Sequence, residues 1–132
     1  MDRAADPVVA PRDPNGRRVL RNDRLRAAFL PAAGGRVQSL THVDHGDLLI
    51  PLPDEVPDLR RWPKAGAFPL FPFHNRLTGG ALRLPGGRHI LRANTANGVD
   101  VMHGPAHRRP WRVTEEGSDV IEMRLAYRAD AE

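Results

Sequence analysis

Leu25-Arg26-Ala27-Ala28-Phe29-Leu30 is followed by Pro31-Ala32-Ala33-Gly34-Gly35 and then by Val37-Gln38-Ser39-Leu40-Thr41-His42-Val43. Two apolar-rich runs thus flank a cluster of turn formers, and a helix through the stretch would have to accept Pro31, Gly34 and Gly35 in its interior. Gly34-Gly35 can instead reverse the chain without a Cβ clash. The prediction is strand, turn, strand. The same pattern continues on both sides. Upstream, Val19-Leu20 precedes Asn22-Asp23, a pair that tolerates left-handed backbone. Downstream, Asp44 to Gly46 leads into Leu48-Leu49-Ile50, a short buried-type strand that ends at Pro51. Residues 17–50 are therefore expected to form a meander of strands.

From Pro51 to Pro72, prolines recur at 51, 53, 57, 63, 69 and 72, a density that excludes helix and central strand alike. The stretch should be a surface loop anchored to the core by Trp62, Phe68, Phe71 and Phe73. Beyond Arg76, Leu77 to Leu84 predicts a turn feeding a strand, and Pro85-Gly86-Gly87 closes a hairpin with Arg88 to Leu91. Arg92 to Val101 is polar and loop-like. Alternation returns from Trp111 to Val113 and from Val120 to Tyr127, with Ile121, Met123, Leu125 and Tyr127 on one face and Glu122 and Arg124 on the other. Gly117-Ser118 joins these two runs as a hairpin turn. No stretch carries a helical apolar stripe, so the expected class is all-β.

The 132 residues suit one domain, a size that buries roughly two thirds of the surface of the unfolded chain. Residues 1–16 hold three prolines, three aspartates and no apolar period, and are expected to be a flexible tail ahead of a β domain over 17–132. No apolar run is long enough for a bilayer span, and the first residues lack the apolar core of a signal peptide. A soluble, cytoplasmic protein without membrane association is expected. Cysteine is absent, which excludes disulfides and thiolate chemistry. The net charge is +4, carried by arginines spread along the chain and mixed with acids, with Lys64 the single lysine. A nucleic-acid surface needs a clustered basic stripe, so no nucleic-acid partner is expected.

Two segments carry candidate chemistry: Phe71-Pro72-Phe73-His74-Asn75-Arg76 and His103-Gly104. The guanidinium of Arg76 is a planar fork of donors that suits the vicinal hydroxyls of a sugar or a carboxylate. The spacing equally allows an arginine paired with a nearby acid, and Asn75 a turn residue. His103 can donate to or accept from a ring oxygen and titrates near neutral pH. It can also be a strand-end histidine satisfied by backbone. His42/His45 and His103/His107 have metal-like spacings, but turn formers and Pro105 and Pro110 oppose the helix that such spacings need, so no metal is expected. Gly79-Gly80 and Gly86-Gly87 lie between strand-like runs and predict turns, not phosphate loops. No Gly-x-Ser-x-Gly elbow is present to support hydrolase chemistry.

Taken in order, three segments resemble the aldose 1-epimerase (galactose mutarotase) family: Asn22 to Leu40 with its Leu30-Pro31-Ala32-Ala33-Gly34-Gly35-Arg36 turn, Phe68 to Leu77, and Met102-His103-Gly104 followed by Trp111-Arg112-Val113. The resemblance implies an antiparallel β-sandwich, part of a mutarotase-like β-supersandwich, and interconversion of the α and β anomers of an aldose, with no cofactor. It further implies that Arg76 holds the substrate, that His103 is an active-site histidine near the sugar ring oxygen, and that Asn75 supports the loop in a substrate-binding role. Family members are much longer, and their second histidine and glutamate base correspond to positions beyond Glu132. The expectation is thus the N-terminal portion of such a protein, contacting a hexose and prone to self-association through exposed strand edges. A noncatalytic carbohydrate-binding β domain is the alternative, and a basic nucleic-acid binder a more distant one.

Overall fold

A computed structural model describes residues 13, 16–55, 58–61 and 63–128. Strands β1 (Arg18–Arg21), β2 (Leu25–Leu30), β3 (Arg36–His42) and β4 (Gly46–Asp47) form one antiparallel sheet in chain order. The β1–β2 reversal is closed by Asn22, whose Oδ1 accepts from the backbone N–H of Arg24 at 2.9 Å and Leu25 at 2.8 Å. Pro31–Ala33 form a 3-10 turn between β2 and β3, where Pro31 presets its own φ and Gly34 takes a left-handed φ of 84°. A bulge between Ala28 and Phe29 shifts the β2–β3 register. Ala28 and Leu30, then Arg36 and Gln38, are buried on the two strands.

The meander holds, but its last member is corrected. Leu48-Leu49-Ile50 is not a buried strand: pairing ends at Asp47, apart from the Leu48 N–H donating to the Leu40 carbonyl at 2.8 Å. Leu48 and Ile50 are 49% and 71% exposed. The chain leaves the ladder before Pro51, and the residue that enters the core is Leu52, whose N–H donates to Gln38 O at 2.9 Å.

The proline-rich segment then returns along β3. Val37 and Ala67 exchange two backbone hydrogen bonds of 2.9 and 3.0 Å. Phe68 and Phe73 are half-buried, as anchors should be. Phe71, expected as a third anchor, is 51% exposed. Its main chain is what the fold uses, because its carbonyl packs against Gly104 and accepts the Ala106 N–H. Trp62 lies outside the described residues, as does the expected tail over 1–16 except for Asp13 and Gly16.

The remaining strands are β5 (Arg76–Leu77), β6 (Ala81–Leu84), β7 (Gly87–Ile90), β8 (Val101–Met102), β9 (Arg112–Glu116) and β10 (Ile121–Arg124). β5 pairs with β8, β6 with β7 and β9 with β10, all antiparallel. The Pro85-Gly86 turn and the half-buried/exposed alternation from Ile121 to Arg128 follow the sequence pattern. The architecture is all-β, with only 3-10 turns as helical elements among the described residues. No described helix is long and apolar enough to cross a membrane.

Trp111 ties the first sheet to the second half of the chain. Its N–H donates to Pro31 O at 2.9 Å, its indole Nε1–H donates to Ala106 O at 3.0 Å, and its ring covers Gly35. The apolar core is small, comprising Ala28, Leu30, Ala33, Leu52, Val101 and Ala106, and it shares the interior with Arg36, Gln38, Asp100 and His107.

Candidate functional site

The two chemistry-bearing segments lie side by side. Arg76 stands opposite Met102, and the pairing runs on past the strands: His103 N–H donates to Asn75 O at 2.7 Å, Gly104 N–H to Phe73 O at 3.0 Å and Ala106 N–H to Phe71 O at 3.4 Å. Glycine is required at 104 by this approach, since a Cβ there would sit 1.8 Å from the Phe71 carbonyl oxygen. Asn75 and His103 both adopt left-handed backbone, with φ of 59° and 56°. Positive φ is uncommon outside glycine, although asparagine and histidine adopt it more readily than most, and two such residues bonded to each other mark positions fixed by their surroundings.

His103 Nδ1 accepts the Asn75 N–H at 2.9 Å. A neutral imidazole whose Nδ1 accepts must carry its proton on Nε2. Burial, then the nearby His74, holds its pKa below the usual histidine value, which keeps the ring neutral at pH 7. The ring meets Phe68 edge-on at 6.2 Å and His107 at 6.5 Å between centroids.

Beneath His103 lies a buried polar layer formed by His107 and Arg36. His107 is fully buried, its Nδ1 is 2.8 Å from Gly104 O, and burial pushes its pKa down to about 4. The neutral ring therefore donates from Nδ1 to that carbonyl. Its own carbonyl accepts from Arg36 Nη2 at 3.2 Å. Arg36 is also fully buried, lies 4.6 Å from the Phe68 ring centroid, and has its pKa lowered by burial. A Cβ on Gly34 would meet the same His107 carbonyl at 1.9 Å. The Pro31–Arg36 turn is thus locked onto the segment that carries His103.

Arg76 is anchored by a carboxylate. Its Nη1 donates to Asp100 Oδ2 at 3.0 Å, the acid-paired arrangement that the spacing left open. Asp100 also accepts from Gly79 N–H at 2.8 Å and Asn97 Nδ2 at 2.8 Å, and these bonds, Gly79 first, hold its carboxyl below the usual range. Asn94 braces β8 by bonding both the N–H and the carbonyl of Met102, at 2.7 and 2.9 Å. Arg76, Asn94, Thr95, Ala96 and Met102 line an open depression of about 470 Å³ together with Arg60 and Arg61. His103 is one residue from that lining, but its ring packs against Phe68 and His107.

Of the predicted site residues, Asn75 and His103 are bonded to each other, and Arg76 is their strand neighbour facing the depression. Asp100 and the two outer arginines were missed, and His107 was weighed only for its metal-like spacing from His103. The only local hint was the density of polar residues between Asn94 and Asp100. Glu115, Glu116 and Glu122 lie exposed on the β9–β10 hairpin, where Glu116 pairs with Arg18 at 3.1 Å and Glu122 with Thr114 and Arg124. His42 and His45 stack at 4.7 Å around a turn in which Asp44 N–H donates to His42 Nδ1.

The sequence model of the aldose 1-epimerase family matches residues 17–132. Three of the segments that carry the resemblance, the Pro31–Arg36 turn, the Phe68–Leu77 segment and Met102-His103-Gly104, meet at one place in this fold. The chain belongs to the aldose 1-epimerase family. Comparisons with curated proteins and with solved structures returned no match.

Proposed function

We propose that this chain binds a hexose at the face formed by Asn75, Arg76 and His103, and serves the interconversion of its α and β anomers. The observation that carries the proposal is the mutual pairing of Asn75 and His103, which fixes an imidazole with an Nε2 proton beside the strand that bears Arg76. Mutarotation needs a donor at the ring oxygen and a base at the C1 hydroxyl. With both in place the ring opens, the aldehyde rotates, and reclosure yields the other anomer. In this proposal His103 Nε2–H donates to the ring oxygen, Arg76 holds sugar hydroxyls, and Asn75 sets the position of His103.

Glu116 and Glu122 of the β9–β10 hairpin are engaged on an exposed surface and are given no part in the proton transfer. The proposal therefore assigns the base to a carboxylate other than these, from this chain or from a second copy brought in by the exposed strand edges. The domain is taken as 17–132, acting in the cytoplasm. The same engagement of the glutamates favours a second reading, a noncatalytic carbohydrate-binding domain.

Polarimetry with freshly dissolved α-glucose and α-galactose tests the proposal. Acceleration over buffer that disappears in His103→Ala supports it. Hexose binding without acceleration, in folded protein, supports the noncatalytic reading. If neither is observed, both are wrong.

A further inference from the structure

Two hairpins of this chain set like charges directly opposite one another, and the two pairs differ in sign. In β6–β7, Arg83 stands across the ladder from Arg88, and in β9–β10, Glu115 stands across from Glu122. Such partners project from one face with Cβ atoms about 5 Å apart, where like charges weaken the pairing. The basic pair is not relieved within the chain. Neither guanidinium has a hydrogen bond or ion pair among the described residues, and residues 81–92 add Arg92 and no acid. The acidic pair is relieved in part: Glu122 accepts from Thr114 Oγ1 at 2.5 Å and from Arg124 at 3.3 Å, while the Glu115 carboxylate has no partner among the described residues. Between Thr114 and Glu122 the hairpin adds Glu116 and Asp119 and no base.

Both hairpins are also uncovered. Each is a two-stranded sheet that pairs with no further strand among the described residues, which leaves both of its edges open. A lone hairpin is marginally stable in water and gains from cover. The register puts Ile90 on the same face as Arg83 and Arg88, and it is 66% exposed; Leu84, on the other face, is 50% exposed. From this complementarity we infer that the β6–β7 hairpin is a docking arm for the β9–β10 hairpin of a second copy of this chain, with Arg83 and Arg88 set against Glu115 and Glu122. A second copy is the occupant because it brings the matching acid pair on a hairpin that is equally open. Ile90 supplies apolar area, and the charges select the partner and the register. Each copy carries both hairpins, so two copies that exchange the contact close into a dimer. The inference does not depend on the sugar-binding reading.

Sedimentation velocity of the full chain from about 5 to 500 μM tests it. The chain should self-associate as concentration rises, and the association should weaken at least about tenfold between roughly 0.05 and 0.5 M salt. R83E/R88E and E115R/E122R, each shown folded by far-UV circular dichroism, should each sediment as a monomer, because each sets like charges against like. An equimolar mixture of the two should associate again, since every contact between unlike copies is then attractive. A parent chain that stays monomeric at 500 μM overturns the inference. So does association that salt or R83E/R88E leaves unchanged, and so does a mixture of the two folded variants that stays monomeric. Should E115R/E122R fail to fold, the salt series and R83E/R88E still decide.

Discussion

Asn75 and His103 hold one another across the β5–β8 pairing: the Asn75 N–H donates to the His103 ring at 2.9 Å, and the His103 N–H returns a bond to the Asn75 carbonyl at 2.7 Å. Both residues pay for this in left-handed backbone, so neither the ring position nor its tautomer is left to solvent. The proton of the neutral ring is directed to Nε2.

If that proton and the Arg76 fork hold the sugar, His103→Ala and Arg76→Ala should each weaken hexose binding by roughly tenfold, the size of one hydrogen bond to a fixed donor. The far-UV spectrum should not change. Calorimetric titration with glucose and galactose measures the effect. Affinities equal to the parent in both variants would remove these residues from the site.

Asp100 offers a check on Arg76 that leaves the arginine itself in place. Asp100→Ala removes the partner of its Nη1 and the acceptor of Gly79 and Asn97, releasing both the fork and the loop behind it. Hexose affinity should fall in this variant as in Arg76→Ala. In a double-mutant cycle the two losses should be less than additive, because both act through one geometry. Full additivity would show that Asp100 does not position Arg76.

His107 makes stability depend on pH. Its folded pKa of about 4 lies below its unfolded value of 6.5, so the unfolded chain takes up the proton first. The contribution is complete above pH 6.5 and is lost as pH falls from there toward 4. His103 is shifted in the same direction. Between pH 7.5 and 5, above the range where carboxylates titrate, urea denaturation should show a loss of about 2 kcal/mol. His107→Gln, neutral at both pH values, should show a smaller drop. A drop of the parent's size in that variant would assign the dependence to other groups.

Close backbone approach should make two glycines intolerant of alanine. Gly34→Ala places a methyl against the His107 carbonyl, and Gly104→Ala places one against Phe71 O. Each should cost more than about 2 kcal/mol by forcing main chain apart, while Gly86→Ala, with nothing within 4 Å, should stay within about 0.5 kcal/mol. Thermal or urea unfolding separates the two cases.

Arg36 is a buried cation with one bonded donor, one aromatic face and no acid partner among the described residues. Arg36→Met keeps much of the volume and removes the desolvated charge, so it should cost less than about 1 kcal/mol, while Arg36→Ala should cost about 2–4 kcal/mol through the cavity it leaves. A larger loss for methionine than for alanine would show that the guanidinium itself holds the turn.

The strands were legible in sequence wherever short-range chemistry decides them. Leu25–Leu30, the Asn22 turn, the Pro85-Gly86 hairpin and the alternation after Ile121 each carry their pattern within a few residues. Leu48–Ile50 misled because an apolar run does not reveal whether a neighbouring strand exists to cover it. The site segments were legible as motifs, yet their partners were not. Asp100 lies 24 residues from Arg76, His107 lies 71 from Arg36, and Arg60 and Arg61 sit in a loop without periodicity. Such contacts are made by tertiary approach and leave no local signature.

The most direct test is an amide and imidazole NMR titration of the isotopically labelled chain with glucose and galactose. The account predicts that shifts concentrate on Asn75, Arg76 and His103, including the His103 ring. Saturable shifts that map to other surfaces, or no shifts at tens of millimolar sugar in folded protein, would contradict it.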